Sequence, residues 1–292
     1  MATLLSSKVR DLDGLPVNRI LPHIKKRMIG PFIFLDHMGP MDLAPNKGLD
    51  VKPHPHIGLS TLTYLLEGKL LHQDSLENIV EIVPGDVNLM TAGKGIVHSE
   101  REPVETRSKQ HRVNGIQCWI ALPENKAEIE PSFQHVAQTD LPKHEVDGVC
   151  ITLVAGSAFG LHSPANTFSP LFFLDVDAKA GSAIQRPEPE FECMLYLLHG
   201  KIKSGQETFE SGQILLLDKE TSFQASTDVR CLLLGGEAWE KTPFIEWNFV
   251  SFHKERIEQA KQDWRERRFP EIPSDAEEFT PLPNRGLSDN AN

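Results

Sequence analysis

Apolar residues fall mainly in short runs and alternations, broken roughly every eight to twelve residues by turn-forming residues, as in a β-sandwich or barrel. Residues 59–66 lead through Glu67-Gly68-Lys69 to residues 70–73, and residues 79–83 lead through Pro84-Gly85-Asp86 to residues 87–90. One segment, 252–268, has helical spacing instead. Ile257, Ala260, Lys261 and Trp264 share a face, with Ser251 as the expected N-cap and Pro270 as the stop. Residues 271–292 carry three prolines and few large apolar side chains, and are predicted to wrap the surface or fray.

The β pattern occurs twice. Tyr64-Leu65-Leu66-Glu67-Gly68-Lys69-Leu70 returns 132 residues later as Tyr196-Leu197-Leu198-His199-Gly200-Lys201-Ile202. Pro84-Gly85-Asp86-Val87-Asn88-Leu89-Met90 is echoed at an offset of 127 by Ser211-Gly212-Gln213-Ile214-Leu215-Leu216-Leu217. Two echoes in the same order, separated by a five-residue deletion, indicate a duplicated β-domain. The boundary is expected in the polar stretch 127–147, giving domains 1–132 and 133–292.

A length of 292 residues accommodates two such domains. The 30 basic against 41 acidic residues give a formal charge of -11, which argues against phosphate-driven nucleic-acid binding and against docking on an anionic membrane. Residues 1–16 lack the apolar core of a secretory signal, and the apolar runs are short, Ile214–Leu217 being typical. The four scattered cysteines, Cys118, Cys150, Cys193 and Cys231, form no CxxC pair and read as reduced core thiols. A cytoplasmic protein is expected.

Chemistry concentrates in the first half. His54-Pro55-His56 and, after 41 intervening residues, His98-Ser99-Glu100 each put two ligand-capable groups on one side of an extended strand. Three imidazoles and a carboxylate brought to one barrel wall suit a first-row divalent metal with positions left open. The repeat supplies a control: offset 132 replaces His54 and His56 by Arg186 and Glu188, and offset 127 replaces His98 and Glu100 by Ala225 and Thr227. The scaffold therefore persists without these four residues, and one metal site is expected, in the first half. Phe32, Phe34, Met90 and Trp119 are candidates for a pocket wall or, by default, for core. Asp36 and His37 read as loop residues, because His-Met-Gly-Pro is a turn signal. His72, Asp74 and Ser75 read as hairpin-turn residues, and Lys94 as a solvated loop cation.

Several segments carry a family resemblance. Pro31-Phe32…Asp36, His54-Pro55-His56, Tyr64-Leu65-Leu66-Glu67-Gly68, Pro84-Gly85-Asp86, Thr91-Ala92-Gly93-Lys94-Gly95-Ile96-Val97-His98-Ser99-Glu100 and Gln117-x-Trp119 resemble the pirin family of the cupin superfamily. In the second half the resemblance is looser, resting on Phe172-Phe173 and Pro243-Phe244. It implies an all-β bicupin: two jelly-roll-like β-barrel domains packed face to face, with a C-terminal α-helix and metal in the N-terminal barrel alone. It implies His54, His56, His98 and Glu100 as metal ligands, iron(II) as the usual ion, and copper, manganese, nickel or zinc as substitutes. The acidic position that cupins often place soon after HxH is Ser60 or Thr61 here, which leaves the acidic ligand to Glu100. The implied activity is that of a quercetin 2,3-dioxygenase, opening a flavonol with O2, with Glu100 as catalytic base in a monomeric protein. The alternative implied by the family is a metal- or redox-dependent regulator that binds a partner protein, to which the acidic second domain and mixed-charge helix would point. A third possibility is turnover of another enediol or phenolic substrate.

Overall fold

The predicted hairpins form at nearly the predicted residues, and their duplicates form with them. The computed structural model describes residues 2–12, 15–219 and 222–283. In chain order the first half contains β1 (Ala2–Leu5), β2 (Lys8–Leu12), β3 (Leu15–Leu21), β4 (Phe32–Leu43), β5 (Asp50–His56), β6 (Leu59–Glu67), β7 (Leu70–Asp74), β8 (Ile79–Ile82), β9 (Val87–Thr91), β10 (Ile96–Arg101), α1 (Val104–Arg107), β11 (His111–Ala121) and β12 (Ser132–Val136). The second contains β13 (Lys143–Val146), β14 (Val149–Ala158), β15 (Leu161–His162), β16 (Leu171–Ala178), β17 (Ala183–Ile184), β18 (Glu192–His199), β19 (Lys201–Ser204), β20 (Glu207–Glu210), β21 (Ile214–Leu217), β22 (Phe223–Ala225), β23 (Val229–Gly236), β24 (Phe244–Glu246), β25 (Phe249–Ser251) and α2 (Lys254–Arg265).

The chain is an all-β bicupin with a C-terminal helix. Each barrel pairs a large sheet, β12-β9-β6-β11-β4-β3-β2 or β1-β21-β18-β23-β16-β14-β13, with a small one, β5-β10-β7-β8 or β17-β22-β19-β20. The small sheets have the same order, so β22 occupies the place that β10 holds in the first barrel, but Gln224 lies opposite Lys203 as Arg101 lies opposite Leu71, which matches Ala225 to Glu102 rather than to His98 as the offset of 127 had it. Gly68 and Gly200 turn the equivalent hairpins at φ of +91° and +88°, and a Cβ there would meet the carbonyl oxygens of Arg112 and Asp228 at 2.6 and 2.2 Å. The large sheets exchange end strands: β1 pairs with β21 of the second barrel, and β12 with β9 of the first. The division at residues 132 and 133 therefore falls at the start of a strand of the first barrel.

The large sheets face one another across a shared apolar core that includes Leu62, Ile116 and Cys118 from one side and Phe173, Met194 and Leu232 from the other. Alternation on β6 sends Leu62 and Tyr64 into this interface and leaves Thr61 and Thr63 to the barrel interior. The second barrel's interior is filled with apolar side chains, among them Leu174, Leu195 and Leu233.

Three expectations need correction. The Met38-Gly39-Pro40 turn signal lies within β4, where Gly39 and Pro40 form an irregularity opposite Asn114. The α2 N-cap is His253, with no side-chain cap bond; the Ser251 hydroxyl accepts from the His253 N–H just before the helix. Cys118, Cys193 and Cys231 are buried free thiols, whereas Cys150 is only half-buried. Residues 271–283 do wrap the surface, and the rest of the predicted tail, 284–292, lies outside the described residues.

Candidate metal centre

β5 and β10 lie side by side with His98 opposite His54, so both triplets point into the first barrel. One nitrogen each from His54, His56 and His98 lies within 4.8 Å of the others. All three rings are buried. His54 Nδ1–H donates to the Lys52 carbonyl at 2.8 Å, which leaves its Nε2 lone pair free. The Nε2 of His98 and both ring nitrogens of His56 are buried without a hydrogen-bond partner. Buried polar nitrogens are normally paired, so one acceptor nitrogen from each neutral ring, converging in this way, fits a bound cation. Burial holds His54 down to about 4 and His56 and His98 well below the usual 6.5, keeping the rings neutral and their lone pairs available.

Glu100 is on the same strand as His98 but outside the 4.8 Å cluster. Its Oε1 lies 2.9 Å from Thr63 Oγ1, which lies 2.6 Å from Gln117 Oε1, and Gln117 Nε2 donates to Glu100 Oε2 at 3.2 Å. Burial pushes the Glu100 carboxyl up, against the opposing effect of His72, Thr63 and Gln117.

The sequence reading missed Thr63 and Gln117 and misjudged His72. His72 is buried in β7, stacks on Phe133 at 4.3 Å, and lies with its Nδ1 3.5 Å from His98 Nδ1. His72 Nε2 is 3.0 Å from Asp74 Oδ2. With Nε2 protonated, His72 donates to Asp74 and offers Nδ1 to His98, which fixes the His98 tautomer with Nε2 aimed at the cluster. Asp74 does hold the hairpin turn, accepting from the Leu76 and Asn78 N–H groups. Burial would push Asp74 up, but hydrogen bonds from His72 and Asn78 outweigh it and hold the carboxyl below its usual range. A signal for Thr63 was present in the repeat: offset 132 pairs it with Leu195, a polar inward position against an apolar one.

A cavity of about 500 Å³ opens onto His54, His56 and Glu100, a size suited to a small organic ligand. Phe34 and Trp119 stack at 4.0 Å along its wall, with Trp119 edge-on to His56 at 5.2 Å and the Arg19 guanidinium over Phe34 at 4.3 Å. Phe32 and Met90, the other wall candidates, are core residues. Asp36 and His37 are buried strand residues: Asp36 receives a bidentate bond from Arg19 at the cavity, and His37 faces the second barrel. Lys94 pairs with Glu130 in solvent.

The family models for pirin and for the pirin C-terminal cupin domain match residues 14–120 and 173–270. The chain is 44% identical over 285 residues to a pirin-like protein of Caulobacter vibrioides, covering 96% of this chain and 98% of that one. The chain belongs to the pirin family. Two crystal structures of proteins named quercetin 2,3-dioxygenase from Acinetobacter baumannii share this pirin architecture. One has a TM-score of 0.89 at 34% identity, covering 100% of this chain and 97% of its own; the other has 0.84 at 26%, covering 93% and 99%. The pirin bicupin here thus carries a possible three-histidine metal site in its first barrel.

Among the described residues no helix is long and apolar enough to cross a membrane.

Proposed function

We propose that the protein is a metal-dependent dioxygenase that opens the central ring of a flavonol such as quercetin, inserting both atoms of O2 and releasing one carbon as carbon monoxide. The carrying observation is the buried Glu100 carboxylate beside three neutral, converging histidines at an aromatic-walled cavity. His54, His56, His98 and Glu100 would hold one divalent ion. We favour iron(II), with copper, manganese, nickel and zinc as alternatives, and it would supply Lewis acidity toward the substrate oxygen and reactivity toward O2.

The chain's own task is to bind a flat phenol and take its proton. Phe34 and Trp119 provide a flat wall. Glu100 is the base for the 3-hydroxyl, and its neighbours accommodate both of its protonation states. When Glu100 is ionised, the single Thr63 hydroxyl hydrogen goes to Glu100 Oε1. When Glu100 is neutral, its Oε1–H is donated to Thr63 Oγ1, Thr63 turns its hydrogen to Gln117 Oε1, and Gln117 Nε2–H still donates to Oε2. Thr63 and Gln117 favour the carboxylate, and the same three contacts still close when Glu100 has taken the substrate proton.

Loss of the flavonol absorption band in air tests the reading. It should be abolished by anaerobiosis and by His98→Ala, with about one transition metal per chain in protein purified without chelators. Turnover of other phenols but not flavonols would move the reading to a different phenolic substrate. Full metal loading without turnover of any phenol would favour the regulator. A cytoplasmic monomer, acting without nucleic acid or membrane, completes the proposal.

A further inference from the structure

The sheet that carries His54, His56 and His98 has an open edge. β5, with its two prolines, is the outermost strand of β5-β10-β7-β8 and would leave backbone groups unpaired beside His54. β25 and residues 272–280 cover it. Val250 N–H donates to the Ile57 carbonyl at 3.1 Å, and Thr280 N–H donates to the Pro53 carbonyl at 2.8 Å. The Thr280 hydroxyl also reaches the Lys52 carbonyl at 3.3 Å, the same oxygen that accepts His54 Nδ1–H. Thr280 itself borders the cavity.

The same segment grips β10. Arg101, next to Glu100, makes a bidentate pair with Asp275 at 2.8 and 2.9 Å and meets Glu278 at 3.1 Å and Asp50 of β5. Glu278 also pairs with Lys52 at 3.1 Å. The Arg101–Asp275 pair is mostly shielded from solvent, with side-chain exposures of 19% and 11%, so it is less screened than an ordinary surface pair. Behind both strands, Ile272 and the apolar face of α2 pack on Ile57 and Val97, the neighbours of His56 and His98.

We infer that residues 272–280 are a positioning strap. Asp275 and Glu278, through Arg101 and Lys52, and Thr280, through the Lys52 carbonyl, hold the two ligand strands in register and so slow release of the metal. The inference rests on the reading of His54, His56, His98 and Glu100 as ligands. Their strands are local in sequence to the first half, yet the clamp comes from the last described residues of the chain.

The test is the double variant Asp275→Ala/Glu278→Ala in the full chain, probed with cobalt(II). Release of cobalt into excess chelator should be about tenfold faster than in the unaltered protein, the scale seen when residues supporting metal ligands are lost, with a change in the cobalt absorption bands. Arg101→Lys, which keeps the charge and loses the fork, should also speed release. In metal-free protein, amide exchange should quicken at residues 50–56 and 96–101. Asp263→Ala removes the pair that Asp263 of α2 makes with Arg268, just past the helix end, and should change neither readout. Unchanged cobalt release together with unchanged exchange in the double variant would overturn the strap, as would equal effects of Asp263→Ala. Failure of the unaltered protein to take up cobalt would instead sink the ligand reading, while exchange confined to those two strands would still uphold the clamp.

Discussion

Tyr64 of the first barrel donates its phenol hydrogen to Asp175 of the second at 2.8 Å. Tyr196, the repeat equivalent of Tyr64, makes the reciprocal contact: its hydroxyl lies 2.7 Å from Nδ1 of His37 in the first barrel. His37 and Asp175 are themselves equivalent. Each lies in the same strand row as its own barrel's tyrosine, through Ile116 in one barrel and Leu232 in the other. The duplication has thus left a two-way polar exchange inside an apolar interface, with His37 Nε2–H passed on to Asn114 at 2.7 Å. Burial pushes the Tyr64 phenol up, the Asp175 carboxylate adding to it.

Loss of this contact should register as stability. Tyr64→Phe should cost about 1 kcal/mol in chemical denaturation, because Arg230 still pairs with Asp175. Asp175→Ala should cost more, roughly 3–5 kcal/mol, because it strands a buried phenol and a half-buried guanidinium together. A double-mutant cycle showing no coupling between the two would refute the interface role.

Thr63→Val keeps the shape and deletes the hydroxyl that serves Glu100. Turnover should fall about tenfold or more while metal content is retained. Thr63 favours the charged form of Glu100, so its removal moves that carboxyl further up and the acid limb of the pH–rate profile to higher pH. An acid limb that stays in place would count against Glu100 as the base.

The metal-free protein should weaken in mild acid. His54 titrates at about 4 folded against the usual 6.5, so the unfolded chain binds the extra proton between those values and stability falls as pH drops through that window. For His54 alone the full loss is about 3 kcal/mol. His56 and His98, also depressed, act in the same direction, and the same protonation competes with metal. Thermal melts of chelated protein at pH 7 and pH 5 should show the drop. A flat profile would mean that the rings are charged or solvated.

Trp264 joins α2 to the first barrel. It is buried among Trp247, Phe269 and Phe279, and its indole N–H donates to the Thr280 carbonyl at 3.0 Å. Trp264→Ala should destabilise the protein by about 3–5 kcal/mol. Trp264→Phe should recover part of this, measurable by denaturant midpoint at constant slope.

Local pattern determined a good deal. Alternation and turn residues placed β6 through β9 to within a residue or so, helical spacing picked out the buried face of α2, and the offset of 132 exposed the duplication. Those features depend on period and on neighbouring residues, which a sequence carries directly. The histidine triplets were legible for the same reason, since i and i+2 share a strand face. What acts on those histidines and on Glu100 was decided by folding. Thr63, Gln117 and His72 come from three different strands and meet the site through sheet register. Met38-Gly39-Pro40 spelled a turn, yet pairing on both sides of β4 made it an irregularity in a strand. Asp275, Glu278 and Thr280 were merely polar residues in a proline-rich tail until packing carried them across some 170 to 230 positions to Arg101 and Lys52. Contacts at that separation depend on where whole elements dock, and no local period records it.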